Sequence, residues 1–161
     1  MVNSYEKKSI EKYYTIAKVL LTISPIVCVL YLNVGSISVG KSILNVIQED
    51  PKLLIMFLYT MSNPFIAYLL IFMQRRIEEK DIAYAVVNLA ILVIAQIMFQ
   101  NIVFIAILGL LLYKMLKTYN VSLKECFREK FKNQFFLTIS GAIVVIFIAS
   151  ICLFASIRIS I

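Results

Sequence analysis

The feature that most constrains this chain is the spacing of its charges. Four long segments contain no Asp, Glu, Lys or Arg, and they cover residues 19–40, 53–74, 82–113 and 133–157. A helix needs about 20 predominantly apolar residues to cross the hydrocarbon core of a bilayer. Each segment meets that length, so the sequence predicts an all-α, polytopic helical membrane protein, with residues 1–161 forming a single integral membrane domain.

Composition agrees with this class and argues against others. Hydrophobic residues make up 61% of the chain, against about 45–50% in ordinary soluble domains. The net charge of +7 would suggest a nucleic-acid partner for a soluble protein. Here membrane topology explains the excess of Lys and Arg, so no nucleic-acid partner is expected. Lys outnumbers Arg twelve to four, and Ile and Asn are abundant, which indicates an AT-rich genome. The short loops and small size suggest a bacterium, and the expected location is the cell membrane.

The third segment raises a question of topology. Residues 82–113 can form one long helix, or two shorter helices that meet at Gln96–Asn101, the sequence QIMFQN. Cytoplasmic loops carry an excess of Lys and Arg. With one helix, each side of the membrane would receive eight of these residues. With a turn at QIMFQN, one side receives four before residue 19, three in 75–81 and six in 114–132, thirteen in all, and the other side receives three. The charge count therefore favours a turn, with Gln96, Gln100 and Asn101 near water.

The preferred topology has five transmembrane helices, with the N-terminus inside, the C-terminus outside and short loops. The predicted spans are about 19–39, 53–74, 82–98, 102–117 and 134–157. Two alternatives stay open. In one, 82–113 crosses once and the chain has four spans. In the other, 82–113 is a re-entrant hairpin that enters and leaves on the same side.

A cytoplasmic amphipathic helix is predicted over about 122–133, before the last span. Ser122 and Glu125 fit a capping box at its start, and its basic residues suit an anionic membrane surface. The candidate contacts for a partner protein or lipid are Lys124, Phe127, Arg128, Lys130, Phe131 and Lys132. A plain topology anchor is the simpler interpretation of this helix.

A polar cluster beside a proline is the second candidate site, and it lies near the middle of the second span. Its members are Thr60, Ser62, Asn63 and Pro64. Pro64 has no N–H to give to the carbonyl of Thr60, so a kink is expected. Transporters build midplane sites from such breaks, although ordinary membrane helices also contain repaired proline kinks.

One face of the last span consists of small residues, Ala142, Ala149, Cys152 and Ser156. Small residues allow helix backbones to approach closely. The face is predicted to pack inside the bundle, and a homodimer contact is the alternative.

Chemistry-bearing residues are scarce. The chain contains no His, and no Asp, Glu, Lys or Arg lies inside a predicted span. Proton relays and ion pathways use intramembrane ionisable residues, metal sites use clustered His, Cys or carboxylates, and a catalytic Ser needs a neighbouring base. We therefore expect no enzymatic activity, no cofactor and no metal.

Two functional hypotheses follow. In the first, the protein is a non-enzymatic immunity, accessory or regulatory subunit that binds another membrane protein or a second copy of itself within the lipid bilayer. In the second, it is a component of a transporter for a small neutral or amphipathic solute, with Asn33, Asn88 and Gln96 lining the path beside the Asn63–Pro64 break.

Overall fold

The computed structural model describes residues 4–132 and 135–160, and within that part of the chain it is all-α, as predicted. The first four helices are α1 (Ser4–Val39), α2 (Ile43–Glu49), α3 (Pro51–Glu78) and α4 (Ile82–Met98). The next three are α5 (Ile102–Tyr119), α6 (Leu123–Lys132) and α7 (Phe135–Ser160). The predicted start of the last span, residue 134, lies outside the described residues.

The helices confirm a polytopic membrane protein. Four of them, α1, α3, α5 and α7, are long and apolar enough to span a bilayer, and α4 is a shorter apolar helix of 17 residues. At 1.5 Å per residue α4 is about 26 Å long, slightly less than the hydrocarbon core. The start of α3 follows the sequence signal: Pro51 is the first helical residue, and the side chain of Asp50 accepts a hydrogen bond from the N–H of Lys52 at 2.8 Å.

The chain turns within QIMFQN, so one continuous helix over 82–113 is wrong. Gln100 adopts a left-handed conformation with φ 58°. Its N–H donates to the carbonyl of Ile97, and the N–H of Asn101 donates to that of Gln96. This is the Schellman pattern that closes helix C-termini. The side chain of Asn101 then accepts from the N–H of Phe104 at 3.4 Å and caps α5.

The same three-residue joint connects α3 to α4. Lys80 has φ 67°, its N–H donates to Ile77, and the N–H of Asp81 donates to Arg76. The side chain of Asp81 then caps α4 by accepting from the N–H of Tyr84 at 3.1 Å. Both joints reverse the chain with a left-handed residue followed by an Asx cap.

Contacts between helices define two ends of the bundle. At one end, Lys114 of α5 bonds to Ser9 of α1, and Lys130 of α6 bonds to Asp81 before α4. At the other end, the α4–α5 turn lies beside the start of α3 and the last turn of α7, where Gln100, Lys52 and Ile157 surround one cavity. The segments that carry thirteen of the sixteen Lys and Arg therefore share one end, as the five-helix topology requires.

The short helix α4 forms the centre of the bundle. It packs against α3, α5, α6 and α7, and side chains on nearly all its sides are buried. The small face of α7 lies inside: Ala142, Ala149 and Cys152 are almost fully buried within one chain. Nearby, a Cβ placed on Gly141 would lie 2.5 Å from Leu69 Cδ2, so α7 passes very close to α3. This face is therefore used in internal packing.

A second, smaller apolar cluster joins α1, α2 and α3. Its buried members are Cys28, Leu32 and Ile47, with Met56 and Phe57 packed against them. The α4–α5 turn does not reach the beginning of α3. The ring of Phe99 contacts Tyr59 instead, with centroids 5.9 Å apart. Tyr59 lies eight residues beyond the start of α3, which corresponds to about 12 Å along the helix. The end formed by α1, α2 and α3 thus projects beyond the α4–α5 turn.

Candidate functional site

The predicted polar cluster meets a second proline segment, in α1. Pro64 lies inside α3 and Pro25 lies inside α1. Pro25 cannot donate to the carbonyl of Leu21, and the hydroxyl of Ser24 donates to that carbonyl instead, at 2.9 Å. Neighbouring hydroxyls repair proline breaks in membrane helices in this way. The sequence interpretation missed Ser24; its signal was a polar residue directly before a proline, the same order as Asn63–Pro64.

The two proline segments are joined by one hydrogen bond. Asn63 Nδ2 donates to Ser24 Oγ at 2.8 Å, linking α3 to α1. The side chain of Asn63 is fully buried, and among the described residues its Oδ1 atom has no hydrogen-bond partner. An unsatisfied buried acceptor costs about 1–3 kcal/mol. The carbonyl oxygen of Asn63 is therefore an unsatisfied acceptor, and a donor from outside would reach it only after neighbouring side chains move aside.

The other hydroxyls of the cluster are bonded within α3. Thr60 Oγ1 donates to the carbonyl of Met56 at 2.6 Å, and Ser62 Oγ donates to that of Leu58 at 3.0 Å. Thr60 and Ser62 are buried, and Pro64 is half-buried. Of the four predicted residues, Thr60 and Asn63 line a surface groove.

This groove, which we call the α1–α3 groove, has a volume of about 380 Å³. Exposed Val27, Tyr31 and Val103 form its rim, so it opens sideways, toward where lipid would lie. Its surface is mostly apolar, with Ser24, Thr60, Asn63 and Asn101 as the main polar groups. The remaining lining residues are Leu20, Ile23, Cys28, Met56, Tyr59 and Phe104.

A second cavity, the vestibule, lies on the other side of the α4–α5 turn. It has a volume of about 480 Å³ and is lined by Lys52, Ile55, Phe99, Gln100, Ser156, Ile157 and Ile159, together with Met56 and Tyr59. The vestibule and the α1–α3 groove share Met56 and Tyr59. The two cavities therefore adjoin around the turn.

The structure does not bring together Asn33, Asn88 and Gln96, which were predicted to line a solute path. Gln96 was expected near water, and this is wrong: its side chain is fully buried in α4, and neither amide atom has a hydrogen-bond partner among the described residues. The turn begins three residues later, at Phe99, so Gln96 still belongs to the helix and faces the interior. Asn88 is buried and donates to the carbonyl of Tyr84 at 2.9 Å, whereas Asn33 is exposed. These three residues do not share one surface.

The amphipathic helix forms as α6 and packs under α4. Cys126 is buried, and Phe127 packs against the main core. Lys130 forms an ion pair with Asp81 at 2.7 Å, mostly shielded from solvent. Lys124 and Arg128 are exposed. The side chains of Phe131 and Lys132 lie outside the described residues, so their contacts stay predictions.

The start of α6 follows half of the predicted capping box, because the carboxylate of Glu125 accepts from the N–H of Ser122 at 3.4 Å. Burial raises the pKa of the Cys126 thiol, and Glu129 and Glu125 raise that pKa further, while Lys130 acts in the opposite direction. Cys126 is therefore a protonated, weakly reactive thiol in the packed protein.

Within the described ranges, no group of three His, Cys, Asp or Glu residues gathers where it could hold a metal ion. Comparison with known proteins finds no matching family model, no matching curated sequence and no matching solved structure. The groove, the vestibule and α6 therefore have to be interpreted from their own chemistry.

Proposed function

We propose that the protein is a non-enzymatic component of a bacterial cell membrane that acts by binding another membrane protein, as an immunity, accessory or regulatory subunit. The observation that carries this proposal is the α1–α3 groove with the unpartnered carbonyl oxygen of Asn63 at its base. The partner contact is a transmembrane helix whose apolar face carries one hydrogen-bond donor.

Helix association in membranes relies on close packing and on interhelical hydrogen bonds, since apolar side chains gain little by leaving lipid. The groove offers both. Its apolar walls provide packing. Asn63 Oδ1 is a buried acceptor at its base, which a Ser, Thr, Asn or Gln of the partner would satisfy once the side chains of the groove floor move aside. Beyond the rim, exposed Ile26, Leu30 and Val34 extend the apolar surface along α1. Exposed Lys124 and Arg128 on α6 would add contacts outside the bilayer.

Site-specific photocrosslinking tests this contact. Tyr31 lies on the groove rim and is 63% exposed, while Tyr68 is 62% exposed on α3 and lies outside the groove lining. A photoreactive phenylalanine analogue at Tyr31 is expected to give one discrete crosslinked membrane protein, identified by mass spectrometry. The same analogue at Tyr68 should give lipid adducts only.

The substitution Asn63→Leu removes the acceptor and places an apolar side chain at the base of the groove. It also removes the hydrogen bond to Ser24, so Ser24→Ala, which breaks that bond and keeps the acceptor, is the matched control. In Asn63→Leu the Tyr31 crosslink should fall at least several-fold at unchanged protein level in the membrane. An equal crosslink at Tyr31 and Tyr68, or one that persists with Asn63→Leu, would contradict the proposal. A crosslink between two copies of the chain would identify a homo-oligomer as the partner.

Transport of a small neutral or amphipathic solute is the second candidate. The adjoining vestibule favours it, because a cavity with mixed polar and apolar walls meets an apolar groove at Met56 and Tyr59. In that case Asn63→Leu would abolish solute uptake in reconstituted vesicles that contain this protein alone. Uptake by a purified single component would separate transport from a helper role.

A further inference from the structure

A basic recess lies where the first turns of α1 meet α5. It has a volume of about 560 Å³ and is lined by Lys8, Ser9, Lys12, Tyr13 and Ile16. Residues three and four apart lie on one face of a helix. The two lysines are exposed, so their ammonium groups border a single space.

A third cation, from α5, contacts two residues of the recess wall. Lys114 is half-buried, and its Nζ donates to Ser9 Oγ at 2.6 Å and lies 4.4 Å from the centre of the Tyr13 ring. Among the described side chains, none of Lys8, Lys12 and Lys114 forms an ion pair. Glu11 lines a separate recess with Tyr14 and Tyr119, on another side of α1. Among the described side chains, the recess therefore collects positive charge without a paired carboxylate.

The surface next to the recess changes abruptly from charged to apolar. Ile16 lies at its edge, and Val19, Leu20 and Ile23 continue along α1 as exposed side chains. Charged groups at the membrane interface with an apolar strip directly beneath match the layout of a phospholipid, whose phosphate lies above its acyl chains. A free phosphate ion would use only the charged part.

We propose that this recess binds the headgroup of an anionic phospholipid from the leaflet on the N-terminal side of α1. Lys8 and Lys12 contact the phosphate from the open side, and Lys114, held by Ser9 and Tyr13, contacts it from α5. The acyl chains lie along Ile16, Val19, Leu20 and Ile23. Basic pockets between transmembrane helices recognise lipid headgroups in this manner. The charged part of the site is separate from the α1–α3 groove, whereas Leu20 and Ile23 belong to both surfaces. Lipid binding at the recess does not rest on the proposed function.

Lipid-dependent thermal protection tests the proposal. The chain has three cysteines, all buried, so a thiol-reactive fluorogenic dye reports unfolding of the detergent-solubilised protein. Titration with phosphatidylglycerol should raise the unfolding temperature in a saturable way, and phosphatidylcholine should not. Glycerol 3-phosphate at the same concentration should also have no effect, because it lacks acyl chains.

The double substitution Lys8→Gln and Lys12→Gln should weaken the apparent affinity for phosphatidylglycerol by roughly 20- to 30-fold. The matched control is Arg75→Gln with Lys80→Gln, which removes two exposed charges near the α3–α4 joint at the same end of the bundle; its affinity should stay within about twofold of the wild type. Equal protection by both lipids, protection by glycerol 3-phosphate, or equal weakening in both double variants would overturn the site.

Discussion

At the residue scale, the most informative positions are three non-glycine residues with positive φ: Lys80, Gln100 and Asn120. Each follows a helix and supplies the left-handed conformation that closes it. Asn tolerates this conformation, whereas Lys and Gln pay roughly 1–2 kcal/mol for the contact between Cβ and the following carbonyl. Those two residues hold the joints before α4 and α5, so the placement of the central helix depends on strained turns.

Replacing Gln100 by Gly should therefore stabilise the protein. The expected gain is about 1 kcal/mol, because glycine has no Cβ at φ 58°, less a small cost from the freer unfolded chain. The measurement is the unfolding temperature in detergent. Glu79→Gly is the control, since Glu79 has φ −75° and should lose stability. A stability loss in Gln100→Gly would show that the side chain of Gln100 makes a necessary contact.

The sequence predicted the position of this turn. It did not predict which side chains near the turn face water and which face the interior. The distribution of Lys and Arg placed the reversal at Gln96–Asn101, since topology depends on loop charges that can be counted. That count has a resolution of several residues, so it grouped Gln96 with Gln100. The structure separates them, because Gln96 belongs to the last turn of α4 and faces inward. Which side of a helix faces the bundle depends on neighbours that an unbroken apolar run does not reveal.

At the element scale, one ion pair joins α6 to the residue that caps α4. Asp81 accepts from the N–H of Tyr84 as the cap of α4 and also pairs with Lys130 of α6. The amphipathic pattern predicted this helix and its basic face. It did not predict that Lys130 would be used inside the fold, because the partner carboxylate lies 49 residues earlier in the chain. The Asp81 carboxylate therefore caps the N-terminus of α4 and also binds α6 through Lys130.

Breaking the pair should expose Cys126. In a background with Cys28→Ala and Cys152→Ala, the substitution Lys130→Met should increase the maleimide labelling rate of Cys126 several-fold. Lys130 lowers the pKa of this thiol, so its removal raises the pKa, leaves less thiolate and would by itself slow labelling. An increase therefore reports release of α6. Since the pKa of Cys126 is raised in the packed protein, wild-type labelling should also increase steadily with pH above about 8.

The matched control for α6 is Lys124→Met, which removes an exposed charge from the same helix and should leave labelling of Cys126 unchanged. Slower labelling in Lys130→Met would mean that α6 stays docked without the ion pair. In that case Phe127 and the buried Cys126 hold the helix by apolar packing alone.

At the scale of the whole molecule, hydropathy predicted the helices, and the arrangement came only from the structure. The predicted boundaries 82–98 and 102–117 agree closely with α4 and α5. No sequence pattern placed α4 at the centre, because its residues are apolar on almost every side and so are those of the lipid-facing helices. Asn63 was selected from the sequence because Pro64 follows it. The sequence could not identify Ser24 as the hydrogen-bond partner, because that contact depends on how α1 and α3 cross.

Cysteine accessibility in intact cells tests which side each end of the bundle faces. On a background without the three native cysteines, a membrane-impermeant maleimide should label Gln100→Cys and should not label Lys124→Cys. Both positions are exposed and lie at opposite ends of the bundle. Labelling of Lys124→Cys with protection of Gln100→Cys would reverse the predicted orientation, while permeabilised cells should label both positions.

The central position of α4 has a consequence for biogenesis. Helices leave the ribosome in chain order, and α7, which covers one side of α4, follows all the others. Synthesis at 5–20 residues per second separates the end of α5 from the end of α7 by roughly 2–8 s. Throughout that interval α4 stands in the translocon or the bilayer with its α7 side uncovered and its amides Asn88 and Gln96 already inserted. A nascent chain that stalls before α7 therefore presents α4 to quality control with the α7 side of its surface still uncovered.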